Sequence, residues 1–261
     1  MESAPRIAPA PQVPWELWMY ILDRPELQGC SGILRMVCID WRRYIKTRKT
    51  HEKEAVRSIS LLSFSLSNLS LPKYNVCAYA SFVGNLHVLQ WARENDCPWD
   101  EWTCSYAAEG GHLSALRWAR ENDCPWDRWT CAFAAHGGHL HILKWARENG
   151  CPWDKWTCIH ASYGGYLDIL QWARENGCPW DGSTCSSAAY GGHLHVLKWA
   201  WENGCPLKEN TCRNAAYRGH LDVLKWAREN ECPWDEDTCA YAAKGGHLDI
   251  LKWAQENGCP S

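Results

Sequence analysis

From residue 76 onward, apolar and polar positions recur in a fixed order. In 103–129 a block of small residues, Thr-Cys-x-x-Ala-Ala, precedes Gly-Gly, and Leu-x-x-Leu-x-Trp-Ala follows before a charged stretch. The first block predicts a short helix over about 104–109 with Thr103 as its N-cap, because a hydroxyl there satisfies an orphan backbone N–H. Ala107 and Ala108 carry no bulk, so neighbouring helices can approach closely. Gly110-Gly111 breaks the helix and permits a tight turn. Leu113, Leu116 and Ala119 share one face of a second helix starting near His112 and stopping at Asn122-Asp123. Pro125 prevents its continuation. A short Cys-Pro-Trp-Asp loop remains.

The order repeats every 27 residues. Cys occurs at 97, 124, 151, 178, 205, 232 and 259 and again at 77, 104, 131, 158, 185, 212 and 239, while Trp occurs at 91, 118, 145, 172, 199, 226 and 253. No series slips, which divides 76–261 into seven units: 76–102, 103–129, 130–156, 157–183, 184–210, 211–237 and a shortened 238–261. Four units place a Gly (150, 177, 204, 258) after the second helix, suited to a left-handed cap. A single hairpin of this size cannot bury its apolar face, so the units must stack.

Composition acquires its meaning from that period. The 261 residues include 19 Trp and 16 Cys but only 3 Phe, and fourteen of the Cys belong to the two series above. At 46% hydrophobic residues the chain is not disordered throughout. No apolar run reaches a membrane-spanning length. A net charge of −3 gives no electrostatic footprint for nucleic acid. The N-terminus lacks a basic segment followed by an apolar one. A reducing, cytoplasmic address with free thiols is the expectation.

Columns that never change, such as Trp91 and Ala92 with their equivalents, read as a packing ladder through the array. Columns that change cluster just before and along the first helix. One holds Glu101, Arg128, Lys155, Gly182, Glu209 and Glu236, and the next Trp102, Trp129, Trp156, Ser183, Asn210 and Asp237. Another holds Glu109, His136, Tyr163, Tyr190, Tyr217 and Lys244. Exposed Trp, Tyr and Arg are common anchors at protein interfaces. Trp102, Trp129, Trp156, Arg128, Lys155, His136, Tyr163 and Tyr190 are therefore the candidate contacts for a target protein. At helix-packing distances of about 8–10 Å per unit the face would be roughly 60 Å long. That length suits a protein better than a metabolite.

The repeat resembles the ankyrin family. Thr-Cys-x-x-Ala-Ala is similar to that family's T-P-L-H-x-A-A, and Gly-His-Leu-x-x-Leu-Lys-Trp-Ala to its G-H-L-E-V-V-K-L-L. The unit is six residues shorter than the usual 33, which implies blunt turns in place of projecting hairpins. Short units rich in Trp and Cys resemble those expanded in giant DNA viruses of amoebae, which would place the chain in a host cytoplasm.

Each unit carries C-x₆-C, as in Cys97/Cys104, beside a His such as His112 or His139. The spacing does not match zinc knuckles, and three such groups fall short of the four ligands a structural zinc site takes. An internal disulfide is conceivable if the Cα atoms come within about 7 Å. Small buried hydrophobes are the plainer reading of the thiols. The His is expected to bond to backbone at the inter-helix turn. A catalytic Cys-His pair would occur once, not seven times, and no phosphate loop, nucleophile elbow or carboxylate pair stands out. The chain reads as a non-enzyme without metal or cofactor.

Residues 1–12 read as a Pro/Ala-rich disordered tail. Leu17, Ile21 and Leu22 form one apolar stripe, with Pro14 at the helix start, and Leu34, Val37, Cys38 and Trp41 form another. Over 13–46 this resembles the F-box: a Pro-x-Glu-Leu opening, an Ile-Leu pair and a closing Val-Cys-x-x-Trp. Val13 stands for the family's opening Leu and Pro25 for an apolar position. The resemblance implies docking on the Skp-type adaptor of a cullin-based ubiquitin ligase through Pro14, Leu17, Ile21, Leu22, Leu34, Val37 and Trp41. Residues 47–75 read as a linker and degenerate cap, with 58–71 compatible with either strand or helix. The expected fold is all-α: an ankyrin-like helical-hairpin solenoid with short inter-repeat loops, preceded by a small F-box-like helical segment. It would be a monomer outside its complex, binding neither nucleic acid nor membrane.

Overall fold

The computed structural model describes residues 76–260. The F-box-like segment 13–46, the tail and residues 47–75 lie outside the described residues. Fourteen α-helices and no strand occur among those described, arranged as an ankyrin-like solenoid of seven helical hairpins. The hairpins are α1 (Val76–Phe82) with α2 (Leu86–Glu94), α3 (Glu101–Glu109) with α4 (Leu113–Glu121), and α5 (Arg128–His136) with α6 (Leu140–Glu148). They continue with α7 (Lys155–Gly164) and α8 (Leu167–Glu175), then α9 (Gly182–Gly191) and α10 (Leu194–Glu202). The last are α11 (Glu209–Arg218) with α12 (Leu221–Glu229) and α13 (Glu236–Gly245) with α14 (Leu248–Glu256). First helices pack directly on one another from unit to unit, whereas second helices mainly touch their own partner.

The small residues explain that asymmetry. Thr103, Cys104, Ala107 and Ala108 are fully buried, and their equivalents leave room for first-helix backbones to approach. On the second helix the buried face is Ala115, Leu116 and Ala119, with Leu113 only half-buried. The column of Val88, Ala115, Ile142, Ile169, Val196, Val223 and Ile250 thus belongs to the core in place of the Leu113 column.

The first helices begin three residues earlier than the Thr predicts. Asp100, Asp127, Asp154 and Asp181 are the N-caps, each carboxylate accepting from the backbone N–H two residues on. A carboxylate also suits the positive end of the helix dipole. The Thr lies three residues into the turn, where in the last two units its hydroxyl accepts from the N-cap N–H, as Thr238 does from Asp235.

Hairpins are fastened at the Gly-Gly turn. Gly111 takes φ +82°, and a Cβ there would lie 2.7 Å from the His139 ring of the next unit. His139 donates from Nε2 to the Glu109 carbonyl at 3.1 Å, and His220 does the same to Tyr190 at 3.2 Å. Burial pushes the pKa of His139, His193 and His220 down, favouring the neutral ring. Tyr166 replaces the His once and lays its ring on Gly138 and Gly164.

Two further links join the units. Arg93, Arg120, Arg147, Arg174 and Arg228 hold their guanidinium 4.1 to 4.4 Å above the ring of the loop Trp that follows. That loop Trp meets the second-helix Trp of the next unit edge-on, as Trp126 meets Trp145 at 5.9 Å. The packing of the Trp91 column along the array therefore runs through interposed loop tryptophans. The links fail together. In 184–210 the Arg becomes Trp201 and the loop Trp becomes Leu207, and in 238–261 they become Gln255 and Ser261.

The thiols form the other link. Within one hairpin the Cys104 thiol donates to the Cys124 carbonyl at 4.0 Å, and Cys77 and Cys185 do the same to Cys97 and Cys205 at 3.7 Å, so the partners are 20 residues apart and the C-x₆-C neighbours are not the pair. Cys124 also donates to the carbonyl of the preceding N-cap, Asp100, at 3.4 Å, and the contact recurs at Cys151, Cys178, Cys205, Cys232 and Cys259. All fourteen described Cys are buried. Burial holds the Cys77 thiol up at about 12, while the partner thiol's hydrogen bond draws Cys178 and Cys205 down.

Candidate functional site

First helices expose one edge along the array, and its changing columns build a continuous strip of rings. An N-cap Asp, or Lys208 before α11, starts the first helices from α3 onward so that their second, sixth and ninth residues lie on the same side, three or four apart. Phe82 meets Tyr106 at 6.1 Å, Tyr106 meets Phe133 at 6.1 Å, and Phe133 stacks on His160 at 6.1 Å. His160 meets His136 at 5.2 Å, and His136 stacks nearly parallel on Tyr163 at 5.7 Å. The strip runs on through Tyr163–Tyr190, Tyr190–Tyr217 and Tyr217–Tyr241 at 5.9, 6.4 and 6.0 Å. It crosses every described hairpin.

The three tryptophans are not equivalent. Trp102 is half-buried against Tyr106 and Phe133, Trp129 is 8% exposed, and Trp156 is 38% exposed. Trp129 and Trp156 touch at 5.6 Å, and Trp102 joins them through Phe133. Tyr190, expected to be exposed, is only 9% so. The changing columns are thus not free of the stack. Their rings pack on one another while presenting their edges.

Phe133, His160 and Tyr217 join the eight expected residues, although 133 and 160 share a changing column visible in the sequence. His160 lies among Trp129, Phe133, His136 and Trp156. That surrounding pushes its pKa down to about 3, so it is a neutral ring at pH 7.

The two expected cations are exposed but committed. Arg128 lies 3.3 Å from Asp154, and Lys155 lies 2.8 Å from Asp181, each reaching the N-cap carboxylate of the next unit. The Lys155 hydrogen bond holds the Asp181 carboxyl below its usual range. Arg213 repeats the motif with Asp235 and Asp237. These pairs edge the strip.

Among the described residues no cluster of three or more His, Cys, Asp or Glu could hold a metal ion, and no helix is long and apolar enough to cross a membrane. The arrangement offers contact area and ring edges.

No curated protein matches the sequence. Among solved structures, the crystal structure of human ASB11 ankyrin repeat domain is similar at 15% identity and a TM-score of 0.49, covering 71% of this chain and 99% of that chain. Residues 104–147 match the family model of ankyrin repeats in many copies.

Proposed function

We propose that this chain is a protein-binding adaptor whose first-helix face holds a target protein. The observation that carries this reading is the aromatic strip, because rings that pack on one another are preorganised and lose little entropy on binding. The match of 104–147 to ankyrin repeats supports a binding scaffold. Trp102, Trp156, His136 and Tyr163 supply the contact rings, backed by the buried rings of Trp129 and Tyr190, with Arg128 and Lys155 at the edge.

The segment 13–46 gives the adaptor its second half. Pro14, Leu17, Ile21, Leu22, Leu34, Val37 and Trp41 would dock on a Skp-type adaptor of a cullin-based ubiquitin ligase, bringing the target to ubiquitination in the cytoplasm. Support comes from the F-box-like spacing of those residues alone. The alternative is a scaffold that sequesters its partner without ubiquitination.

Affinity purification of the full chain separates the readings. Under the adaptor reading a Skp-type protein co-purifies and is lost with Leu17→Asp or Trp41→Ala, while Trp156→Ala loses the target but keeps the adaptor. If the wild-type chain captures no Skp-type protein at micromolar concentration, the ligase role fails. If targets survive Trp156→Ala and Tyr163→Ala together, the face assignment fails.

A further inference from the structure

We propose that the end of the strip formed by Arg218, Lys244, Tyr217 and Tyr241 receives an acidic stretch of an extended partner polypeptide whose apolar stretch lies on the Trp156 end. This rests on the reading of the first-helix face as the target-binding face.

The cations beside the strip differ in what they are doing. Arg128, Lys155 and Arg213 are neutralised by N-cap carboxylates of the next unit, so they add little attraction for a ligand's charge. Arg218 and Lys244 are exposed and form no ion pair among the described residues. Arg218 rests 4.7 Å above the Tyr190 ring and Lys244 5.8 Å from that of Tyr241. Rings in such contact restrain where the cations sit while leaving their donors available. Tyr241 is 37% exposed beside Tyr217. Asp235 and Asp237, the nearby carboxylates, are already held by Arg213.

The other end of the strip has the opposite character. Trp156 is 38% exposed and Trp102 half-buried, both lying over the buried rings of Trp129 and Phe133, with no unpaired cation beside them. The surface is therefore graded along its length, from apolar to cationic. From Trp156 to Arg218 is two unit steps and to Lys244 three, or about 16–30 Å at 8–10 Å per step. An extended chain covers that in roughly five to nine residues. A nucleic acid would need a track of cations along its backbone. Two cations in a chain of net charge −3 do not provide one.

The probe is a fluorescein-labelled peptide with a Leu-Phe-Leu cluster, a Gly/Ser spacer of seven residues and four Glu, read by fluorescence anisotropy with the full chain at low salt. Control probes carry Gln for Glu or are oligothymidylate of similar length. The Glu probe is expected to bind about tenfold more tightly than the Gln probe, about 1.4 kcal/mol. Added salt and Arg218→Ala/Lys244→Ala should each abolish that preference, whereas Trp156→Ala weakens both peptides. Both substituted cations are surface residues, and unchanged circular dichroism would confirm folding. Equal binding of Glu and Gln probes, or a preference that survives the double variant, overturns the proposal. So does oligothymidylate binding as tightly, or no peptide binding at millimolar concentration. Equal binding that remains sensitive to Trp156→Ala would leave the target-face reading standing while removing the acidic partner.

Discussion

The unit 184–210 is a natural double deletion of the Arg–Trp link, and restoring it should reveal what the link contributes. In five units the guanidinium sits 4.1 to 4.4 Å over the loop ring, which then meets the next second-helix Trp at 5.7 to 6.0 Å. In 184–210, Trp201 is 41% exposed and takes the place of the loop ring against Trp226, at 5.7 Å. Trp201→Arg alone removes that aromatic pair, costing about 0.5–1.5 kcal/mol, and leaves the Arg without a ring beneath it. Leu207→Trp alone adds a ring whose place against Trp226 is contested by Trp201. Together they rebuild the cation–π contact, about 0.5–1 kcal/mol at a half-exposed site, and the aromatic pair. The favourable coupling between the two substitutions should therefore be about 1–2 kcal/mol. Urea unfolding followed by far-UV circular dichroism measures it, avoiding the change in Trp count that would confuse fluorescence. A coupling within about 0.3 kcal/mol of zero would mean the link contributes nothing, and that the joint loss of Arg and Trp in two units is coincidence.

Asp96, Asp123 and Glu231 hold φ of 57° to 62° where sibling units carry Gly. Left-handed backbone costs a side-chain-bearing residue about 1–2 kcal/mol, and Gly returns about 0.5–1 in lost chain entropy. Glu231→Gly should stabilise by roughly 0.5–1 kcal/mol and Gly150→Glu destabilise by as much, in the same urea assay. For His160 the folded pKa lies below the unfolded one, so its stabilising contribution is complete above about 6.5 and is lost as pH falls toward about 3. It contributes a slope approaching 1.4 kcal/mol per pH unit within that window, and His160→Phe should flatten the measured stability–pH curve between pH 6 and 4. His139→Tyr, copying Tyr166, should keep the fold and remove part of the same acid sensitivity. Among the described thiols a thiol reagent should label Cys239 and Cys259 first, at 6% and 8% exposure, since the other twelve lie at 0–1%; equal labelling of all fourteen would contradict the buried pairs.

The repeat period and the two-helix unit were legible because a 27-residue copy makes its own internal comparison. First-helix starts lie three residues before the expected position. Thr103 and Asp100 are both good caps by chemistry, and only the observed hydrogen bond from Trp102 decides for Asp100. The core column of Ala115, Ile142 and Ile169 was obscured because Leu at 113 and 116 fits a helical face equally well. Pairing Cys104 with Cys124 depends on how a hairpin folds back over 20 residues, which local spacing does not encode. The changing columns were visible as a group, but not that Trp129 would be buried and Trp156 exposed. That difference arises from ring contacts between adjacent units, each set by the side chain one period away.

The His ring seated on the preceding Gly-Gly turn has an evolutionary consequence. Its contacts are nearly the same at five junctions and Tyr166 takes its place at a sixth, so one unit fits behind almost any other. Unequal recombination within such a gene would delete, duplicate or reorder units and still yield chains whose junctions close. Each event would shuffle the strip residues carried by those units, producing a new sequence of rings and charges along one edge. The seam is therefore a conserved joint that makes the face it supports freely interchangeable.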